Sequence, residues 1–279
     1  MTKRAEAERR PKSIRKPEAA PSPQPEALAE KPKSWRTKKP GIAGLVNAMV
    51  FLPDARLVAV GYFYDKQVSD RGQVGCEYQD LPFARSFDVR ALENGAKAVV
   101  AGEEGRLALI DPISGRLLQL GQLYSGESLT DQPSVSVLRV RPGPGGRRLA
   151  AVADNGELCV ASAKTLKPIK SFRAGEALCG VAWLSPERLV ICGVAGAQVL
   201  CAETLEPLHR VDLGPTGDLD ASADGETIVI GTQRGLSIFD RQLELRAELE
   251  VAGAARVSFG PDGQTAFVAV PEGPHKGVW

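Results

Sequence analysis

A two-stranded unit recurs along this chain at a spacing of about 40 residues, the interval expected of a repeat architecture. In "GETIVIGTQRGLSIFD", residues 225–240, two short apolar runs flank the turn "TQRG", and Asp240 closes the segment. β-branched and apolar runs of this length form strands, and Gly235 supplies the positive φ that a tight turn needs. The same pattern is written in "KAVVAGEEGRLALID" (97–111), "RLAAVADNGELCVAS" (148–162) and "RLVICGVAGAQVLCA" (188–202). Its turn glycines are Gly105, Gly156, Gly196 and Gly235, and Gly273 in "QTAFVAVPEG" continues the series. Only the first interval, from Gly105 to Gly156, is noticeably longer than the rest.

The flanks repeat too. Ahead of each hairpin stands another strand with a turn, as in "VSVLRVRPGPGG", "LCGVAWLSPE", "DLDASADGE" and "ARVSFGPDGQ". Behind it comes a fourth strand, as in "PISGRLLQL", "AKTLKPIKSF", "AETLEPLHRV" and "RQLELRAELEV". Four short strands in about 40 residues is the period of a propeller blade. A single such sheet exposes both faces, so neighbouring sheets must bury one another. The expected fold is all-β: a β-propeller of about six to seven four-stranded blades over residues 41–279, preceded by a disordered basic arm over 1–40. The first blade, near 45–80, is irregular, and residues 65–84 break the period as either a functional loop or an extended hairpin. The last blade lacks a written outer strand, which "SWRTK" or the start of "GIAGLVNAMVF" is expected to supply.

The repeated unit resembles the WD-repeat family of β-propellers. The matching parts are the "FGPDG" turn (259–263), "FLPDA" from residue 51 more loosely, the glycine-to-acid run ending at Asp111 and Asp240, and "SIFD" where the family writes a Trp-Asp pair. The family's Gly-His dipeptide is absent, and bacterial YVTN-type propellers use the same four-strand unit. The resemblance implies a non-catalytic scaffold that presents loops and strand edges to protein partners in a larger complex.

The formal charge of +1 hides a division. Residues 1–40 hold twelve Lys/Arg against five Glu, while the remaining 239 hold 23 against 29 Asp/Glu. With seven prolines and little apolar material, the arm cannot bury enough surface to offset its ordering entropy. Its clusters, Lys3, Arg4, Arg9, Arg10, Lys12, Arg15 and Lys16, then Lys38 and Lys39 around "KPKSWRTKKP", are candidates for nuclear targeting or for contact with nucleic acid. Trp35 is expected to pack on the body. The five cysteines show no CxxC pair, and no apolar stretch reaches the ~20 residues of a bilayer span, so a soluble intracellular protein, nuclear or cytoplasmic, is expected.

Catalytic patterns are sparse. There are two histidines, His209 and His275, with no ligand spacing around them, no GxSxG elbow, and no Lys-Ser/Thr after the glycines of "RPGPGGRR". That segment reads as a turn with a basic tip at Arg147 and Arg148. Cys179, Cys192 and Cys201 fall on neighbouring strands and read as structural thiols. Asp218, Asp220 and Asp224 read as an acid-rich turn between the first and second strands of a blade. No cofactor, metal or catalytic residue is assigned. Alternative readings are a nucleic-acid or ribonucleoprotein-associated factor acting through the arm, and a propeller enzyme with its site at the channel mouth.

Overall fold

A computed structural model of the chain describes residues 45–53, 57–62, 66–68, 74–77, 81, 85–125, 134–251, 256–260, 263–270 and 277–278. The described residues form six consecutive antiparallel sheets and no α-helix. The first sheet contains β1 (Leu45–Phe51), β2 (Leu57–Tyr62), β3 (Lys66–Val68) and β4 (Val74–Glu77). The second contains β5 (Ser86–Leu92), β6 (Lys97–Gly102), β7 (Arg106–Ile110) and β8 (Leu117–Gln122). The third contains β9 (Val137–Pro142), β10 (Arg148–Ala153), β11 (Glu157–Ser162) and β12 (Pro168–Arg173). The fourth contains β13 (Leu178–Ser185), β14 (Arg188–Gly193), β15 (Gly196–Cys201) and β16 (Pro207–Asp212). The fifth contains β17 (Thr216–Ala221), β18 (Thr227–Thr232), β19 (Leu236–Asp240) and β20 (Leu245–Leu249). The sixth has three strands, β21 (Arg256–Phe259), β22 (Ala266–Val270) and β23 (Gly277–Val278).

Strands pair in chain order within every sheet. The repeat period thus marks real sheets, and β3 and β4 place residues 66–68 and 74–77 of the segment 65–84 as the outer half of the first sheet. Over those described residues the segment is a hairpin of the first sheet. Leu45–Phe51 pairs with β2 as the leading strand of the first sheet, so this part of "GIAGLVNAMVF" is committed there. "SWRTK" lies outside the described residues.

The apolar core lies between sheets. Strand β10 shows why: Leu149 and Ala151 point to a cluster shared with the second sheet, while Ala150 and Val152 point to one shared with the fourth. Side chains alternate across a strand, so a strand buried on both faces reads as a continuous apolar run. Strands β6 and β14 repeat the arrangement, and five such clusters fill the spaces between consecutive sheets. Outer strands differ. All of β20 is exposed, and β12 and β16 are exposed except at Phe172 and Val211. No described helix is long and apolar enough to cross a membrane.

Candidate functional site

The leading strand of a sheet carries a triplet centred on a buried aliphatic residue. The triplets are Asp88-Val89-Arg90 on β5, Arg139-Val140-Arg141 on β9, Gly180-Val181-Ala182 on β13, Asp218-Leu219-Asp220 on β17 and Arg256-Val257-Ser258 on β21. All five central residues are buried in the intersheet core. Alternation along the strand then sends both flanking residues the other way, and in four of the five strands those flanks are charged or polar. The set holds four arginines against three aspartates.

These charges interlock across sheets. Arg139 Nε donates to Asp218 Oδ1 at 3.0 Å, with both side chains almost fully buried. Its Nη1 also donates to the Leu138 carbonyl at 2.5 Å. The pair joins the third sheet to the fifth, past the fourth, whose triplet offers nothing larger than a methyl on its flanks. Glycine is required at 180, because a Cβ there would come within 3.0 Å of Cys192 Sγ, Leu219 N and Leu219 Cγ. Arg141 Nη1 donates to Asp88 Oδ2 at 2.5 Å, and the same oxygen accepts the Val140 N–H at 3.0 Å. Asp220 Oδ2 accepts from Phe259 N at 2.9 Å and Ser258 Oγ at 3.3 Å, fastening the fifth sheet to the sixth.

Burial and charge set opposite outcomes for the two central carboxyls. Burial pushes Asp88 up, but the attraction of Arg90, Arg141 and Arg139 and the Val140 N–H outweigh it, leaving the carboxyl below its ordinary range. For Asp218 burial wins over Arg139 and Arg141, and the carboxyl is raised. Arg90 is lowered by burial and by repulsion from Arg141, partly countered by Asp88, Asp220 and Asp218. Arg90 Nε, Arg141 Nε and Arg141 Nη2 are buried without a hydrogen-bond partner among the described residues. Beside this network is a cavity of about 280 Å³, lined from β1, β5, β9, β17, β21 and β22. Residues of the first sheet and the sixth therefore share one space.

The other residues singled out by the sequence have structural placements. Gly105, Gly156, Gly196 and Gly235 join the second and third strands of their sheets, all at positive φ. At Gly156 the turn explains only half of the requirement. Its φ is +79°, and a Cβ would also strike the Glu176 carbonyl, where the chain leaves for the next sheet. Asp111 and Asp240 follow or end third strands and hold the next turn. Asp111 accepts from Ile113 N at 2.8 Å and from the Ser114 hydroxyl at 2.7 Å. Asp240 accepts from Gln242 N and Glu244 N, both at 2.9 Å, and from Arg246. Gly273, His275 and the cationic residues Lys3, Arg4, Arg9, Arg10, Lys12, Arg15, Lys16, Lys38 and Lys39 lie outside the described residues.

Two expectations need correction. Asp218 and Asp220 stand in β17 rather than in a turn, and only Asp224 belongs to the turn, where it accepts from the Ser222 hydroxyl at 2.5 Å. The basic tip is divided: Arg147 is exposed, but the Arg148 guanidinium lies over the Trp183 ring, 4.9 Å from its centroid. Of the three cysteines on neighbouring strands, Cys179 and Cys192 approach to 3.5 Å between sulfurs, while Cys201 instead meets Thr204. Among the described residues no group of three His, Cys, Asp or Glu side chains is placed to hold a metal ion.

The charge network escaped the sequence reading, although a signal was present. Charged–aliphatic–charged triplets stand on β5, β9 and β17, one strand ahead of the apolar strands β6, β10 and β18, where a solvent-facing strand would also read as charged. No protein-family model matches the chain, and no curated protein matches it in sequence.

Proposed function

We propose that the six sheets close into a β-propeller, akin to the WD-repeat type, that acts as a non-catalytic adaptor for protein partners inside a larger intracellular complex. Consecutive packing of the leading strands, and a cavity shared by the first and last sheets, support closure. The observation that supports the adaptor role is the outer strands. β12, β16 and β20 end their sheets, are exposed along nearly all their length, and carry the exposed apolar residues Ile169, Leu208, Leu245 and Leu249. An open edge offers unpaired N–H and C=O groups to an added strand, and apolar side chains on it supply the area that makes addition favourable. Covering one leucine contributes about 1.5–3 kcal/mol.

Affinity purification with the intact chain, beside an Ile169→Lys/Leu208→Lys variant of unchanged melting temperature, tests the reading. A partner retained by the parent and lost by the variant is expected. Retention of that partner by both removes the edges as the docking surface, and failure to retain any reproducible partner removes the adaptor role.

A further inference from the structure

We propose that the cavity beside the charge network binds an organic carboxylate, with the carboxylate between Arg90 and Arg256 and the hydrocarbon body against Met49, Phe87 and Phe267. The inference stands on the cavity alone and does not rest on the adaptor role. Arg90 of β5 and Arg256 of β21 both line this space, as do the three apolar residues. Neither guanidinium has a hydrogen-bonded carboxylate among the described residues. Arg90 Nη2 is 3.6 Å from Asp88, and Arg256 Nη1 is 4.0 Å from Asp218.

The carboxylates nearest them are already engaged, Asp88 through both oxygens and Asp218 through Oδ1. Asp88 takes Arg141, Val140 N and Val89 N, and Asp218 takes Arg139. Arg90 Nε is itself buried without a hydrogen-bond partner among the described residues. A buried cationic donor without an acceptor is destabilising, and a planar two-oxygen anion matches the guanidinium fork.

Charge and wall chemistry narrow the ligand class. Four arginines against three aspartates leave one positive charge, which a monoanion balances and a dianion exceeds. The walls are mostly hydrocarbon, and Met49 and Phe267 are 57% and 46% exposed although both line the cavity. A bare anion leaves those side chains wet, whereas an acid with an apolar body covers them. A free carboxylic acid and an acidic side chain beside an apolar residue on a partner peptide offer this same chemistry.

Calorimetric titration of the full chain at fixed ionic strength tests the site with four probes: 3-phenylpropionate, its uncharged analogue 3-phenylpropanol, inorganic phosphate, and a blocked phenylalanine–glutamate dipeptide. Saturable binding of 3-phenylpropionate is expected, weakened about tenfold or more by Arg90→Gln and by Arg256→Gln. Arg256 is the more exposed of the two, so its variant keeps the test decisive if Arg90→Gln does not fold. Tighter binding of the dipeptide assigns the carboxylate to a partner's side chain, and tighter binding of 3-phenylpropionate assigns it to a free acid; both uphold the site. Absence of saturation, equal binding of 3-phenylpropanol, preference for phosphate, or unchanged affinity in both variants overturns it.

Discussion

Replacing Arg139 with leucine leaves the Asp218 carboxylate buried after its hydrogen-bonding guanidinium has gone. The two side chains are 6% and 4% exposed, so solvent does little to relieve the loss. Removing one partner of a buried pair costs about 3–5 kcal/mol, against about 0–1 kcal/mol for an exposed pair. Arg256, 4.0 Å from the other oxygen of Asp218, offsets part of the loss, which places the expected value near the lower end, about 3 kcal/mol. For a chain of this size that lowers Tm by roughly 6–12 °C.

The pH dependence has a definite sign. Burial already raises the Asp218 carboxyl, and loss of Arg139 raises it further. An acid raised in the folded state contributes stability that is fully present below its unfolded pKa, about 3.9, and is lost as pH rises through the folded value. The variant's deficit should therefore be small near pH 4 and grow by up to about 1.4 kcal/mol per pH unit before levelling. In Arg139→Leu/Asp218→Leu, where no charge is stranded, most of the stability should return. Guanidinium unfolding followed by tryptophan fluorescence at several pH values reads all of this. A deficit below about 1 kcal/mol at pH 7, a deficit indifferent to pH, or simple additivity in the double variant would refute the buried-pair reasoning.

Gly156→Ala and Gly175→Ala separate backbone strain from steric contact, because the two glycines have nearly equal φ, +79° and +80°, but only Gly156 faces a carbonyl while nothing lies near Gly175. Gly175→Ala should cost about 1–2 kcal/mol and Gly156→Ala clearly more, and equal losses in denaturant titrations would contradict the close-approach argument. Among Cys159, Cys192 and Cys201, native alkylation should reach Cys201 first. The hydroxyl of Thr204 and backbone donors hold its thiol below the ordinary value, while burial pushes Cys159 up to about 11 and raises Cys192. Peptide mapping that finds Cys159 labelled as fast as Cys201 would contradict this order.

The repeat was legible because the second and third strands of the second to fifth sheets are largely buried on both faces. "RLAAVA" and "RLVICG" are continuous apolar runs that no solvated strand would tolerate, and the glycines between runs fall at positions that demand positive φ. The leading strands were less legible. "GDLDAS" alternates acid and aliphatic residues, a pattern compatible with a turn or with a strand facing water. Nothing within that short run shows that Arg139, far earlier in the chain, meets the first aspartate.

Local chemistry thus settled the four-strand unit, its turns and its period, since these depend on side-chain alternation and backbone conformation within a single repeat. The charge network and the cavity beside it were settled only by tertiary structure. They arise where flanks of strands from different sheets converge, and whether a charge there is solvated or paired depends on neighbours that no local pattern identifies. Gly180 makes the point in one residue. Along the chain it is a glycine in a strand; in the fold its missing side chain admits Leu219, the residue that follows the aspartate Arg139 holds.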